Sequence, residues 1–269
     1  PSSFGWNARC VEGSKYYYRD SANGWSFKNA VPGYQSWGTV AYGIRVSANS
    51  YLYSMVSKLD LCDISDMANK LHLHDGLGQQ LYDPGLLSAN IGGTRYGATP
   101  LTMASAYATF ASEGKYCEPR PLEKITKSDG SPMKTYESKC EQAISPDIAN
   151  GVSYVLKGVL APGGSAPKRA IGLPDASAAK TGTNDNSSQT WMVGYTRGLA
   201  TASWVGSNDL GYRSMNGIAI NGRVLEYVDG ATYAGAQWQQ FMQAMAPKYN
   251  TEKFTEPPAS VTSTNVNGN

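Results

Sequence analysis

The sequence predicts an α+β protein. Two observations carry this. Helical periodicity recurs in four separate stretches, each bounded by capping or breaking residues, and three extended stretches follow one another between residues 176 and 205. The chain has 269 residues, room for one large domain or two small ones and for a sizeable buried core. Lysine plus arginine number 23 and aspartate plus glutamate 21, a net charge of +2, which argues against a nucleic-acid backbone as the main partner. Charged residues make up 16% and apolar ones 41%, which excludes a disordered acidic chain and a coiled coil. No run approaches the roughly 18 consecutive apolar residues of a membrane span.

Residues 1–35, rich in Gly, Ser, Tyr and Asn, read as loop and irregular structure. From Trp37 to about Leu61 the apolar positions Tyr42, Ile44, Leu52, Val56 and Leu59 follow a 3.6-residue period. Ser47-Ala48-Asn49-Ser50 interrupts it with residues that prefer caps and turns, so two helices meeting at a polar corner are expected. Thr99 is a helix cap with Pro100 in the first position, and that helix runs to about Ser112 and stops at Gly114. A hairpin follows over 117–140, with Asp129-Gly130 at its tip. Ser145-Pro146-Asp147 starts a helix that runs through Leu160 and ends at Pro162-Gly163-Gly164.

Ala176–Thr183, Thr190–Thr196 and Ala200–Val205 are the three strands, the last two joined by the turn at Arg197-Gly198. A final helix spans about Tyr233 to Ala246, with an apolar stripe of Ala234, Trp238, Phe241, Met242 and Met245, and Pro247 ends it. Residues 251–269, mostly Thr, Ser, Asn, Pro and Gly, are expected to form a flexible C-terminal tail after a single domain over 1–250.

The four cysteines, Cys10, Cys62, Cys117 and Cys140, form no C-x-x-C pair, so a zinc or thioredoxin-like site is not indicated. His72 and His74 have no second ligand cluster near them, and no metal is expected. Cys117 and Cys140 flank the hairpin tip close to cross-strand register. They form a disulfide in an oxidising compartment or stay two buried thiols.

The chemistry lies in Lys180-Thr181-Gly182-Thr183, at the end of a strand before a polar loop. Lys180 brings positive charge, the threonines bring hydroxyl donors, and Gly182 lets a substrate backbone lie against the strand. Ser47-Ala48-Asn49 stands 133 residues upstream at the helix corner. A K-T-G strand combined with an S-x-N corner accompanies an S-x-x-K nucleophile in penicillin-recognising enzymes.

Longer strings extend the match. Lys180-Thr181-Gly182-Thr183-Asn184-Asp185, Trp191-Met192-Val193-Gly194-Tyr195-Thr196, Ala202-Ser203-Trp204-Val205-Gly206 and the helix from Gly97 to Ala111 leading into Gly114-Lys115-Tyr116 together resemble the class A penicillin-binding proteins, from about Trp37 to Met245. The resemblance implies the fold shared by penicillin-binding proteins and serine β-lactamases, an antiparallel sheet flanked by helices, with residues 1–250 a partial transpeptidase domain. It also implies a D,D-transpeptidase that cross-links peptidoglycan stem peptides through a serine acyl-enzyme and is trapped by β-lactam antibiotics, without a cofactor.

On that resemblance Ser47 shuttles a proton toward the leaving nitrogen, and Asn49 orients the catalytic lysine and the substrate amide. Lys180 keeps the site positive and holds Ser47. Thr181 and Thr183 bind the terminal carboxylate over Gly182, and the Thr183 backbone N–H forms half of the oxyanion hole.

The nucleophile itself is not found in the order the resemblance requires. None of the 46 residues before Ser47 belongs to an S-x-x-K element. Ser112–Lys115, Ser131–Lys134 and Ser165–Lys168 match only after S-x-N, at a helix end, a hairpin tip and a Gly/Pro-rich loop. The serine is therefore expected on a separate N-terminal segment of the same protein, with the membrane anchor of an extracytoplasmic enzyme also outside these residues. Two rival readings are a non-catalytic peptidoglycan-binding relative and a β-lactam hydrolase of the same fold. The hydrolase lacks a Glu-x-x-x-Asn deacylating element between Asn49 and Lys180.

Overall fold

A computed structural model describes residues 10, 15, 17, 27–31, 33, 38–207, 213–220 and 222–262. Most of the irregular segment expected over 1–35 lies outside them, as does Trp37.

The helical stretch after residue 37 forms α1 (Val40–Val46) and α2 (Asn49–Val56), which turn against each other at Ser47-Ala48. Thr39 caps α1 through its hydroxyl, which accepts the Tyr42 N–H at 3.1 Å. The two helices close tightly because residue 43 is glycine: a Cβ there would stand 2.3 Å from the Tyr51 Cβ. Helix α3 (Leu61–Lys70) is an element the apolar periodicity does not predict; Asp60 caps it by accepting the Cys62 N–H. The cap at Thr99 and Pro100 opens α4 (Pro100–Ala111).

The hairpin is built as two short antiparallel pairs. Strand β1 (Lys115–Cys117) pairs with β4 (Cys140–Gln142), and β2 (Lys124–Thr126) with β3 (Pro132–Thr135) across an irregularity at Ile125/Thr126. Cys117 stands directly opposite Cys140, and the two form a disulfide; a second joins Cys10 to Cys62. Of the two alternatives open for Cys117 and Cys140, the structure takes the disulfide.

Helix α5 (Pro146–Leu160) leads into the central sheet, β5 (Ala178–Thr183), β6 (Gln189–Thr196) and β7 (Leu199–Gly206), antiparallel in the order β5-β6-β7. A two-stranded hairpin, β8 (Ala219–Ile220) with β9 (Arg223–Val224), precedes α6 (Tyr233–Met245). The short α7 (Ala259–Thr262) closes the described chain.

Helices cover both faces of the sheet, and adjacent residues of β6 show it. Tyr195 stacks edge-on to Tyr107 of α4 and bonds the Ser153 hydroxyl of α5 at 2.9 Å. Gly194, on the opposite face by strand alternation, carries the Trp238 ring of α6 so closely that a Cβ would lie 2.6 Å from it. Trp238, Met242, Met192 and Tyr195 are fully buried in this core.

Two expectations are corrected. Phe241 belongs to the predicted stripe of α6 yet is 46% exposed, because only Ala234, Trp238 and Met242 of that stripe turn fully inward. Residues 251–262 do not behave as the tail their composition suggested. Phe254 is buried in the main core against Tyr195. Arg197, at the β6–β7 turn, donates to the Lys253 carbonyl and the Thr255 hydroxyl, and also pairs with Glu113 at 2.6 Å. Residues 263–269 of the expected tail lie outside the described residues.

Candidate active site

Strand β5 is an edge strand: its only partner among the described residues is β6. The Asn184 N–H donates to the Gln189 carbonyl at 3.1 Å, which makes that pair hydrogen-bonded. In an antiparallel ladder such pairs alternate with pairs whose backbone groups point outward. The N–H and C=O groups of Thr181 and Thr183 therefore face the open edge. The Lys180 ammonium agrees with this, since it donates to the Thr181 carbonyl at 2.8 Å.

The side chains divide between the two faces. Lys180 stands opposite Val193 and Gly182 opposite Trp191, on the face that Tyr195 shares with α4 and α5. Thr181 and Thr183 lie on the face toward α6. From its own face Lys180 also donates to the Ser47 hydroxyl at 2.7 Å. Burial holds the Lys180 amine down to about 8 from its usual 10.5.

Ser47 reaches the lysine from the corner between α1 and α2. It has a left-handed backbone, φ 59° and ψ 43°, and caps α1 with its N–H on the Ile44 carbonyl at 3.2 Å. A non-glycine residue in this region is strained by the order of 1 kcal/mol. The turn is held in place by the next bond, from the Ala48 N–H to the Gly43 carbonyl. The strain aims the serine out of the corner and toward β5.

Both threonine hydroxyls have defined partners. The Gly230 N–H donates to the Thr183 hydroxyl at 2.9 Å, and the Thr181 hydroxyl lies 3.0 Å from that of Ser165. A Cβ on Gly230 would stand 2.4 Å from the Trp191 carbonyl and 2.6 Å from the Gly182 carbonyl, so only glycine brings this N–H against the strand. At the far end, Asn184 folds the loop after Thr183 back onto β6: its side-chain oxygen accepts the Gln189 N–H at 2.7 Å.

Of the residues expected in the site, the structure brings together Ser47, Lys180, Thr181, Gly182 and Thr183. Asn49, the first residue of α2, takes another partner: its carboxamide nitrogen donates to the Lys28 carbonyl at 2.7 Å. The three late S-x-x-K serines named above separate clearly, and a fourth match, Ser177-Ala178-Ala179-Lys180, has its serine buried and donating to the Leu173 carbonyl at 2.7 Å. Ser112 donates to the carbonyls of Ala108 and Lys115, and Ser131 donates to Asp129. Ser165 does reach β5, but its partner is a hydroxyl, and Lys168 is exposed. Sequence reasoning missed Ser165 and Gly230 as neighbours of the K-T-G strand; the run of glycines before Ser165 was the only signal for the first.

No group of three or more histidine, cysteine, aspartate or glutamate side chains suited to a metal occurs among the described residues. The arrangement at β5 instead offers an ammonium hydrogen-bonded to a hydroxyl, two hydroxyl donors and an outward backbone N–H on one strand edge. That set suits an acyl group beside a carboxylate.

The comparisons point the same way. A family model described as the penicillin binding protein transpeptidase domain matches residues 9–251. Penicillin-binding protein 1A of Aquifex aeolicus is 24% identical over 253 residues, which cover 93% of this chain and 32% of that protein. Penicillin-binding protein 1A of Mycobacterium tuberculosis is 30% identical over 236 residues, 81% of this chain and 27% of that protein. The chain thus spans about a third or less of the length of these relatives.

Among solved structures, penicillin-binding protein 1A from Haemophilus influenzae superposes with a TM-score of 0.71 at 20% identity, covering 87% of this chain and 38% of that one. PonA1 from Mycobacterium tuberculosis gives 0.67 at 24% identity, covering 82% and 58%. These likenesses agree with the mixed helix and antiparallel-sheet architecture described above. The chain belongs to the penicillin-binding protein transpeptidase domain family and is a portion of such a domain of the class A kind.

Proposed function

We propose that this chain forms the S-x-N and K-T-G side of the active site of a peptidoglycan D,D-transpeptidase, completed by an S-x-x-K serine on a separate N-terminal segment. The observation that carries the reading is the 2.7 Å bond from Lys180 to Ser47 at the open edge of β5. The serine attacks the carbonyl of the penultimate D-alanine of a stem peptide. The oxyanion that develops meets the outward Thr183 N–H.

The attack passes the serine's proton to the lysine of the S-x-x-K element. As the C–N bond breaks, Ser47 delivers its proton to the leaving D-alanine nitrogen and takes one back from that lysine, while Lys180 stays charged and holds the Ser47 hydroxyl in place. The amine of a neighbouring stem then attacks the ester, the cross-link amide forms, and the serine regains its proton. Thr181 and Thr183 hold the terminal carboxylate of the donor, with the Lys180 charge beside it. Asn49 keeps its side-chain oxygen for the incoming lysine of the S-x-x-K element, since its nitrogen is engaged by Lys28.

β-Lactams are the second expected ligand class. PonA1 from Mycobacterium tuberculosis has been solved in complex with penicillin V, which supports the same class here. An extracytoplasmic location fits the two disulfides, which persist in oxidising compartments. No helix among the described residues is long and apolar enough to cross a membrane.

The test is D-alanine release and cross-linking from a D-Ala-D-Ala stem peptide, by the chain with and without a polypeptide carrying the S-x-x-K serine. Activity only in the combination supports the reading. Reversible binding without release supports the non-catalytic relative, and rapid hydrolysis of penicillin supports the hydrolase.

A further inference from the structure

Thr183 is set up as a donor by its surroundings. The Gly230 N–H can only donate, so it fills an acceptor position on the Thr183 hydroxyl and leaves that proton free for something else. Thr181, two residues away on the same face of β5, has Ser165 where Thr183 has Gly230, at 3.0 Å. A hydroxyl pair runs in either direction. A carboxylate, however, only accepts, so a carboxylate at Thr181 selects the direction Ser165 to Thr181 to ligand. Each donor in such a chain polarises the next.

We propose that Ser165 is a positioning residue that turns the Thr181 hydroxyl into a carboxylate donor, as the Gly230 N–H does for Thr183. The inference rests on the proposed function, and it deepens that reading by assigning specificity for a terminal carboxylate to a serine outside the S-x-N and K-T-G elements.

The loop that carries Ser165 is fixed independently of the ligand. The Ser165 N–H donates to the Arg45 carbonyl at 2.9 Å, and the Ala166 N–H to the Val159 carbonyl at 3.0 Å. The Arg45 guanidinium donates to the Pro162 carbonyl. Gly164 leaves no room for a side chain, since a Cβ would lie 2.3 Å from the Val159 carbonyl. Arg45 is two residues before Ser47 on the same helix. The last turn of α1 therefore reaches both faces of β5: Ser47 takes Lys180 directly, and Arg45 holds the loop whose serine takes Thr181.

The test uses the full chain and two probes: a diacetyl-Lys-D-Ala-D-Ala peptide and its C-terminal amide, with Kd values from NMR titration. The wild type is expected to prefer the carboxylate. Ser165→Ala is expected to shrink that preference about fivefold, roughly one hydrogen bond's worth, and to leave binding of the amide unchanged. Ser165→Thr, which keeps the hydroxyl, restores the preference. Equal weakening of both probes in Ser165→Ala means a merely structural serine and overturns the inference. So does a preference undiminished by Ser165→Ala, and the carboxylate assignment to Thr181 and Thr183 then still stands. A wild type without any preference overturns that assignment, and the inference with it.

Discussion

Lys180 and Ser47 are separated by 133 residues of sequence and by 2.7 Å in the fold, with the lysine ammonium donating to the serine hydroxyl. One group comes from an edge strand and the other from a strained helix corner, so the contact exists only if both elements dock as described. The acyl transfer proposed for this strand edge rests on the pairing of Lys180 with Ser47 together with the outward backbone of Thr183.

Removing either member tests that pairing. Lys180→Ala and Ser47→Ala are each expected to lower the rate of acylation of the completed enzyme by about 10²–10⁴-fold, the usual worth of a positioned proton-transfer group. The two losses should not add in the double variant, because the two groups act as one hydrogen-bonded unit. Stopped-flow acylation with a chromogenic β-lactam measures this, and additive losses contradict it.

The pH dependence follows from the buried amine. Lys180 titrates near 8 in the fold and near 10.5 when unfolded. Between those values the unfolded chain holds the extra proton, so stability rises with pH across the window, and below about 8 the cost of burying the charge is present in full. Urea midpoints of the wild type, relative to Lys180→Met, are expected to climb between pH 8 and pH 10. Affinity for a carboxylate ligand is expected to fall over the same range, as the positive charge is lost. Parallel stability curves for the two proteins contradict the lowered lysine.

The segment after residue 250 is expected to contribute to the core. Phe254→Ala should cost about 3–5 kcal/mol, as other large-to-small core substitutions do, and Arg197→Ala should loosen the same segment by removing its bonds to Lys253 and Thr255. Chemical denaturation measures the first. A cost below about 1 kcal/mol would mean that Phe254 is not seated in the core.

Gly194 makes a sharper packing test. A methyl group there meets the Ala178 carbonyl, the Ala179 Cβ and the Trp238 ring, each 2.6 Å away. Two of those neighbours belong to the facing strand and cannot swing aside, so Gly194→Ala should destabilise by about 3 kcal/mol. The same substitution at Gly78, whose φ is +79° with open space around it, should cost less, because only the backbone strain remains. Equal melting temperatures for the two variants contradict the close packing of α6 on the sheet.

The disulfides offer an independent check. Loop closures of 52 and 23 residues correspond to about 4 and 3 kcal/mol of stabilisation on chain-entropy grounds. Reduction is expected to lower the melting temperature. Cys117→Ser with Cys140→Ser should do so without changing ligand affinity, since the bonds of the Lys180, Thr181 and Thr183 side chains run to Ser47, Ser165, Gly230 and β5 itself rather than to the hairpin strands.

Much of the fold was legible where local chemistry decides it. Thr39 and Thr99 cap helices through their hydroxyls, and the polar corner at Ser47 breaks a helix as its residues suggest. The three central strands fall within two residues of their expected limits. Helix α3 was not legible because its buried positions are Leu61, Cys62, Ser65 and Ala68, spaced for a helix but too small or polar to register as an apolar stripe. Phe254 was hidden among polar residues that find their partners only in the folded chain. At the site, the K-T-G and S-x-N residues were legible from motif chemistry. The partners of Thr181 and Thr183 were not, because Ser165 and Gly230 arrive from loops 16 and 47 residues away. The bond from the Asn49 carboxamide nitrogen to the Lys28 carbonyl was not legible either, for the same reason.

The most direct test of the central claim is intact-mass spectrometry, under non-reducing conditions, of the chain combined with a polypeptide carrying an S-x-x-K serine and treated with penicillin. The account predicts one penicilloyl mass increase on the partner polypeptide, an unchanged mass for the 28.8 kDa chain, and loss of the adduct with Lys180→Ala. An adduct on the 28.8 kDa chain itself, or one that survives Lys180→Ala at full rate, would contradict it.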